Sequence, residues 1–175
     1  MLMEKRWGVT VEKPIEVVFG AYVDQLTQIW DLGPVEALTE GPFGEGTRLR
    51  QSGEPVWGFH DPSTVIDIVR FEPHRRLTWT GKADVPGSLG TGKGFSTLYN
   101  TFVSFGWGSE VTVDAHFLPL DESKTEVMIF GRNRVSRWGA VVNPITRWFG
   151  YWWVKRRLTQ FKDKAEGLEQ FRLAI

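Results

Sequence analysis

The chain has 175 residues, with 21 Lys and Arg against 21 Asp and Glu and no cysteine. That length suits a single domain spanning 1–175 with a real core. The cancelled charge gives no global attraction to nucleic acid or acidic substrates. The missing cysteines exclude disulfides, Cys-ligated zinc and thiol catalysis. The N-terminus lacks the apolar run of a signal peptide, and no window approaches the roughly 18 apolar residues of a membrane span, so a cytoplasmic protein is expected. Aromatic residues make up 14%, including nine Trp, and such side chains fill cores or line pockets for flat, greasy ligands.

Trp7 to Glu12 alternates Trp7, Val9 and Val11 with Gly8, Thr10 and Glu12, which predicts a strand with one buried face. Pro14 then opens a helix over Ile15 to Val23, with apolar positions at 15, 18, 19 and 22, and a second short turn covers Leu26 to Trp30. The cluster Gly41-Pro42-Phe43-Gly44-Glu45-Gly46 is a turn leading into a strand, Thr47–Gln51. Thr64–Phe71 and Leu77–Lys82 read as strands joined by the turn Glu72-Pro73-His74-Arg75. Val111–Leu118 and Thr125–Val135 form a second such pair, so the sheet is an antiparallel meander.

Between the pairs, Asp84–Gly108 is glycine-rich and open to reading as a strand, a helix or a flap. Its Gly87-to-Lys93 run has the spacing of a phosphate loop, but Gly94 replaces the hydroxyl residue that would meet magnesium, so a connection or lid is the better reading.

Asn143 to Arg172 predicts one long helix, with Asn143 as N-cap and Pro144 in the first turn. Its thirty residues would give a rod of about 45 Å. Val154, Leu158, Phe161, Ala165 and Leu168 form one apolar stripe. Continued backwards, the stripe meets Tyr151, Gly150, Arg147 and Asn143, while Ile145, Phe149 and Trp152 fall opposite. A helix that only completed a core would keep a single stripe. The second half is expected to pack tightly and the first half to roof a cavity, unless a kink near Gly150 lets the halves bury different faces.

The order of four segments resembles the START-like, helix-grip (SRPBCC) superfamily, in its polyketide cyclase/dehydrase-like and lipid-transport-like branch. They are "VEKPIEVVFGAYVD", the "IWD" of Ile29, Trp30 and Asp31, "FGEGTRLR", and "VIDIVRFEPHRRLTWT". The resemblance implies an α+β fold in which a curved antiparallel sheet, with two short helices after its first strand, grips a long C-terminal helix. It also implies a hydrophobic cavity between them. That superfamily contains carriers, sensors and enzymes, so fold alone leaves the function open.

With the helix as roof, Arg147, Gly150 and Tyr151 would look onto a ligand, with Val154 closing the inner end and Arg147 available to an anionic group. Trp79 and Tyr99 are further candidate pocket aromatics, with core packing the default for Trp79, and Tyr99 could donate a hydrogen bond to a substrate oxygen. Catalytic candidates are few. His116 and Asp114 share a strand face, but the opposite face of Val111, Val113, Ala115 and Phe117 is wholly apolar and makes the better interior. His60 lies before a proline turn, where a cavity mouth or plain surface accounts for it equally. Asp67, between Val65 and Val69, needs a partner such as Arg48 or Arg50, or a ligand. His74 is expected in solvent, Arg132 and Arg134 share a face with Met128 and Phe130, and three scattered His give no metal site.

Two function classes follow. One is a binding module for a lipid, polyketide or other aromatic metabolite; the other is a cyclase/dehydratase-type enzyme using the same cavity. Neither requires a cofactor. Trp148, Phe149, Trp152 and Trp153, beside Lys155, Arg156 and Arg157, also fit a peripheral membrane or protein contact, although cover by 84–108 or a dimer mate is the simpler account. The protein is expected to be a monomer or a homodimer.

Overall fold

The computed structural model describes residues 2–27, 35–51, 55–56, 59–60, 63–84, 110–134, 155 and 158–167. The first strand, β1 (Leu2–Val11), ends in a tight link to helix α1 (Ile15–Thr27). The amides of Val17 and Val18 both donate to the Pro14 carbonyl at 3.1 Å. Thr125, fully buried, donates its hydroxyl to the Lys13 carbonyl at 2.9 Å, which satisfies a backbone group in that link. Short strands β2 (Val35–Ala37) and β3 (Arg48–Gln51) follow, and β4 (Pro55–Val56) and β5 (Phe59–His60) make a separate two-stranded ribbon. Four long strands, β6 (Ser63–Glu72), β7 (Arg76–Asp84), β8 (Glu110–Asp121) and β9 (Lys124–Arg134), complete the sheet.

All pairings are antiparallel, and the seven-stranded order is β1-β9-β8-β7-β6-β3-β2. Two irregularities bend this sheet. On β6 the register shifts between Ile68 and Arg70, leaving Val69 as the extra, exposed residue. The bulge re-phases the strand, so Ile66 and Ile68 before it and Phe71 after it all face inward. A second shift, between Pro119 and Asp121, does the same with Leu120 at the end of β8.

The final helix, α2, runs over 158–166, with Lys155 also helical. Phe161 and Ala165 are buried as the apolar stripe requires, and Leu158 is half-buried. The helix was expected to continue to Arg172; residues 168–172 lie outside the described residues, and the described helical run closes at Gly167. Gly167 takes φ 77° and its amide donates to the Lys164 carbonyl at 3.0 Å. That left-handed residue, favoured in glycine, ends the helix. Glu166 in the last turn accepts a 2.8 Å hydrogen bond from the Glu12 amide, which ties α2 to the end of β1.

The core lies between the concave side of the sheet and the two helices. Phe19 of α1 stands edge-on to Phe117 at 5.0 Å, and Tyr22 meets Phe117 at 5.4 Å and Phe161 at 5.9 Å. Phe71, Phe43 and the edge of His74 extend the cluster from Phe19. Aromatic edges and faces packed in this way add to the area they bury. No helix among the described residues is long and apolar enough to cross a membrane.

Candidate functional site

The strand register sorts the concave face into rows across β7, β8, β9 and β1. Phe117, Val127 and Val9 form one row; Leu77, Ala115, Ile129 and Trp7 the next; Trp79, Val113, Gly131 and Lys5 the third. Burial declines along β7 and β8 from the first two rows to the third. On β7 and β8, Leu77, Ala115 and Phe117 are buried whereas Trp79 and Val113 are only half-buried; on β9 and β1, Val127 and Gly131 are buried and Val9, Ile129, Trp7 and Lys5 half-buried. The concave face is therefore filled where α1 and the 158–166 helix cover it, and more open towards the third row.

Two aromatic groups stand at the transition. The Trp7 ring leans over Gly131: a Cβ on residue 131 would lie 2.9 Å from Trp7 Cζ3, so the close approach needs a glycine. The Trp79 indole N–H donates to the Tyr22 hydroxyl at 3.3 Å. Burial, opposed by that hydrogen bond and aided by the negative charge of Asp114, pushes the Tyr22 phenol up to about 12. At neutral pH it is an uncharged hydrogen-bonding group at the edge of an aromatic core.

Trp79 is thus placed on the concave side, partly buried and packed against the core. Arg147, Gly150, Tyr151, Val154 and Tyr99 lie outside the described residues, as do Trp148, Phe149, Trp152 and Trp153. His60 is placed by its backbone alone, in β5 opposite Pro55. The other two acid–base candidates stand on the convex face. Asp67 pairs with Arg48 at 2.8 Å, its cross-strand neighbour, and the two side chains are 44% and 56% exposed. The carboxylate among valines therefore has an ion-pair partner and access to water.

His116 and Asp114 alternate with the buried Ala115 and Phe117, so they too point outward. Asp114 nevertheless sits in a dense network. Arg76 binds it through Nε at 2.8 Å and Nη2 at 2.6 Å, Thr78 donates at 2.8 Å, and His116 Nε2 lies 3.2 Å away. Burial would raise this carboxyl's pKa, but the hydrogen bonds from Arg76, Thr78 and His116 outweigh it and hold the group well below the usual carboxylate range. Phe130, edge-on to His116 at 5.3 Å and under the Arg6 guanidinium at 5.6 Å, continues the cluster. The network braces β7 against β8 behind Trp79 and Val113. Among the described residues no group of three His, Cys, Asp or Glu is placed to hold a metal ion.

Tyr22 is the polar group on the concave side that sequence reasoning did not single out. Its position on the buried stripe of α1 marked it as core, which its ring is. The signal available was its chemistry: a phenol on a helix's apolar face carries a polar tip that needs a partner.

Sequence comparison finds no matching family model and no matching curated protein. Solved structures do match over most of the chain. The crystal structure of Ara h 8.0201 aligns with TM-score 0.63 at 14% identity, over 95% of this chain and 97% of that one. The ZhuI aromatase/cyclase from Streptomyces sp. R1128 aligns with TM-score 0.59 at 17% identity, over 95% and 94% of the two chains. Norcoclaurine synthase from Thalictrum flavum, in complex with dopamine and hydroxybenzaldehyde, aligns with TM-score 0.56 at 10% identity, over 83% and 77%. At these identities the likeness is one of fold. The chain has the helix-grip fold, a seven-stranded curved sheet with a C-terminal helix across it.

Proposed function

We propose that this chain, acting as a single domain over 1–175 in the cytoplasm, binds a hydrophobic small molecule between the concave sheet and the C-terminal helix. The ligand class is a lipid, a polyketide or another aromatic metabolite, held by a carrier, sensor or sequestering protein. The observation that carries this reading is the decline in burial along β7 and β8, from Leu77 and Ala115 to the half-buried Trp79 and Val113, with Trp7 also half-buried on the same face. Apolar and aromatic walls with a few polar groups are what small-molecule sites are made of. Arg147, Gly150, Tyr151, Val154 and Tyr99 complete the proposed lining from the helix and the 84–108 segment. The likeness to a norcoclaurine synthase bound to two aromatic compounds supports a ligand of that kind.

A second reading, a polyketide cyclase/dehydratase-type enzyme, draws support from the likeness to an aromatase/cyclase. It needs a proton-transfer group inside the site. Asp67 and His116 face away from the concave side, which leaves His60 and Tyr99 to supply one and makes binding the better-supported function. Native mass spectrometry of protein purified without detergent, followed by titration with 1-anilinonaphthalene-8-sulfonate after organic extraction, tests the proposal. One saturable site per chain is expected. Weak, multi-site dye binding and a ligand-free native mass would count against it.

A further inference from the structure

The Tyr22 ring packs steeply inclined to both Phe117 and Phe161, with centroids at 5.4 and 5.9 Å, which holds the ring and its hydroxyl in place. It points to Trp79, whose indole N–H donates to the phenolic oxygen. That bond uses the oxygen as an acceptor and leaves the phenol's own proton to be given away. Among the described residues that proton has no acceptor, although Tyr22 is only 4% exposed. Buried hydroxyls without an acceptor are uncommon because water no longer compensates them. The unpaired donor sits where the filled part of the concave face gives way to the half-buried row of Trp79 and Val113.

We propose that Tyr22 is the polar anchor of the concave site, donating a hydrogen bond to a neutral oxygen, a carbonyl or an ether, on an otherwise apolar ligand. The inference rests on the ligand-binding reading and adds a requirement to it: the preferred molecule carries an oxygen acceptor and is not a bare hydrocarbon. Trp79 acts through Tyr22, fixing the phenol oxygen so that its proton is aimed into the open half. With the phenol's pKa raised to about 12, the group stays protonated at neutral pH and serves as a donor. The surrounding rings of Phe117, Phe161 and Trp79 favour an uncharged partner over a carboxylate.

The test compares two near-isosteric probes, 2-acetylnaphthalene and 2-ethylnaphthalene, in competition with a fluorescent naphthalene dye. The wild-type protein should prefer the ketone by about five- to tenfold, the scale of one hydrogen bond formed in a dry site. Tyr22→Phe should bring that ratio close to one while 2-ethylnaphthalene binds as before. A wild type with no ketone preference, or a Tyr22→Phe variant that keeps it, overturns the anchor and leaves the pocket standing. Binding of neither probe overturns the pocket for ligands of this size and the anchor with it. A readout independent of the variant's folding uses wild-type protein carrying 13C at the tyrosine ζ carbon. The chain has three tyrosines, and Tyr99→Phe and Tyr151→Phe assign the Tyr22 signal by elimination. The ketone should move that signal and the hydrocarbon should not; equal responses to both probes refute the hydrogen bond.

Discussion

Replacing Asp114 with Asn keeps the side chain's size and removes its charge and one of its two acceptor oxygens. In the native protein the two oxygens receive Arg76 Nε and Nη2, the Thr78 hydroxyl and His116 Nε2, all within 3.2 Å. An amide in the same place must turn its NH2 towards one of those donors. Hydrogen bonds to a charged group contribute about 1.5–3 kcal/mol each, and breaking one side of a buried ion pair costs about 3–5 kcal/mol. The Arg76 side chain is 29% exposed, so water recovers part of its loss. The expected cost is therefore about 2–4 kcal/mol, or roughly 5–15 °C in Tm for a chain of this length.

Urea unfolding at a series of pH values measures it. The folded carboxyl titrates below its unfolded value of about 3.9, so its stabilisation is complete above that value and is lost as pH falls through the folded pKa. The gap between wild type and Asp114→Asn should be full at pH 7 and should narrow as the pH drops below about 4. A gap under about 0.5 kcal/mol at pH 7, the range of ordinary surface substitutions, would refute the reading of this network as a structural brace.

Asp67→Asn, by contrast, breaks an ion pair already open to solvent, and its effect on stability should stay below about 1 kcal/mol. Dye affinity should be unchanged in that variant, and a loss would show that the convex face takes part in binding. Gly131→Ala puts a methyl 2.9 Å from Trp7 Cζ3 and should tilt that ring into the open half of the concave face. A severalfold loss of dye affinity is expected, with a stability cost of about 1 kcal/mol because the far end of a side chain can move; unaltered affinity would separate Trp7 from the site. Gly167→Ala forces an L side chain to a φ of 77°, which should cost about 1–2 kcal/mol and speed amide exchange in the last turn of the 158–166 helix. Unchanged exchange would mean that the glycine does not set that helix end.

The two long hairpins were legible because runs of six or more residues with strand character flank a short turn in each, and alternation fixes the face. The same period placed His116 and Asp114 opposite Ala115 and Phe117; the cost of a carboxylate among valines called for Arg48, Arg50 or a ligand beside Asp67, and cross-strand pairing decides for Arg48. Local pattern fails where tertiary pairing decides. The Trp7–Glu12 strand begins at Leu2 instead, because β9 supplies a partner for every residue from Leu2 onward, charged Glu4, Lys5 and Arg6 included. The strands at Val35–Ala37, Pro55–Val56 and Phe59–His60 are too short to carry a period. Gly167 was read as an interior helix residue because the apolar stripe runs on to Leu168, yet glycine's ease at positive φ stops the helix there. Of the concave side, Trp79 was singled out as an aromatic of the core or of a pocket, and it packs against the core there. The Tyr22 partnership was not legible, since it joins residues 57 positions apart through a helix-to-sheet contact that no local pattern encodes.

The central claim is that a ligand enters on the concave side, next to Trp79 and Trp7. Methyl and indole NMR signals followed during titration with 2-acetylnaphthalene test it most directly. The account predicts saturable shifts at the Val113 and Ile129 methyls and the Trp7 and Trp79 indoles, with Val65, Val69 and Leu118 on the convex face unmoved. Shifts confined to the convex group, or none that saturate, would contradict it.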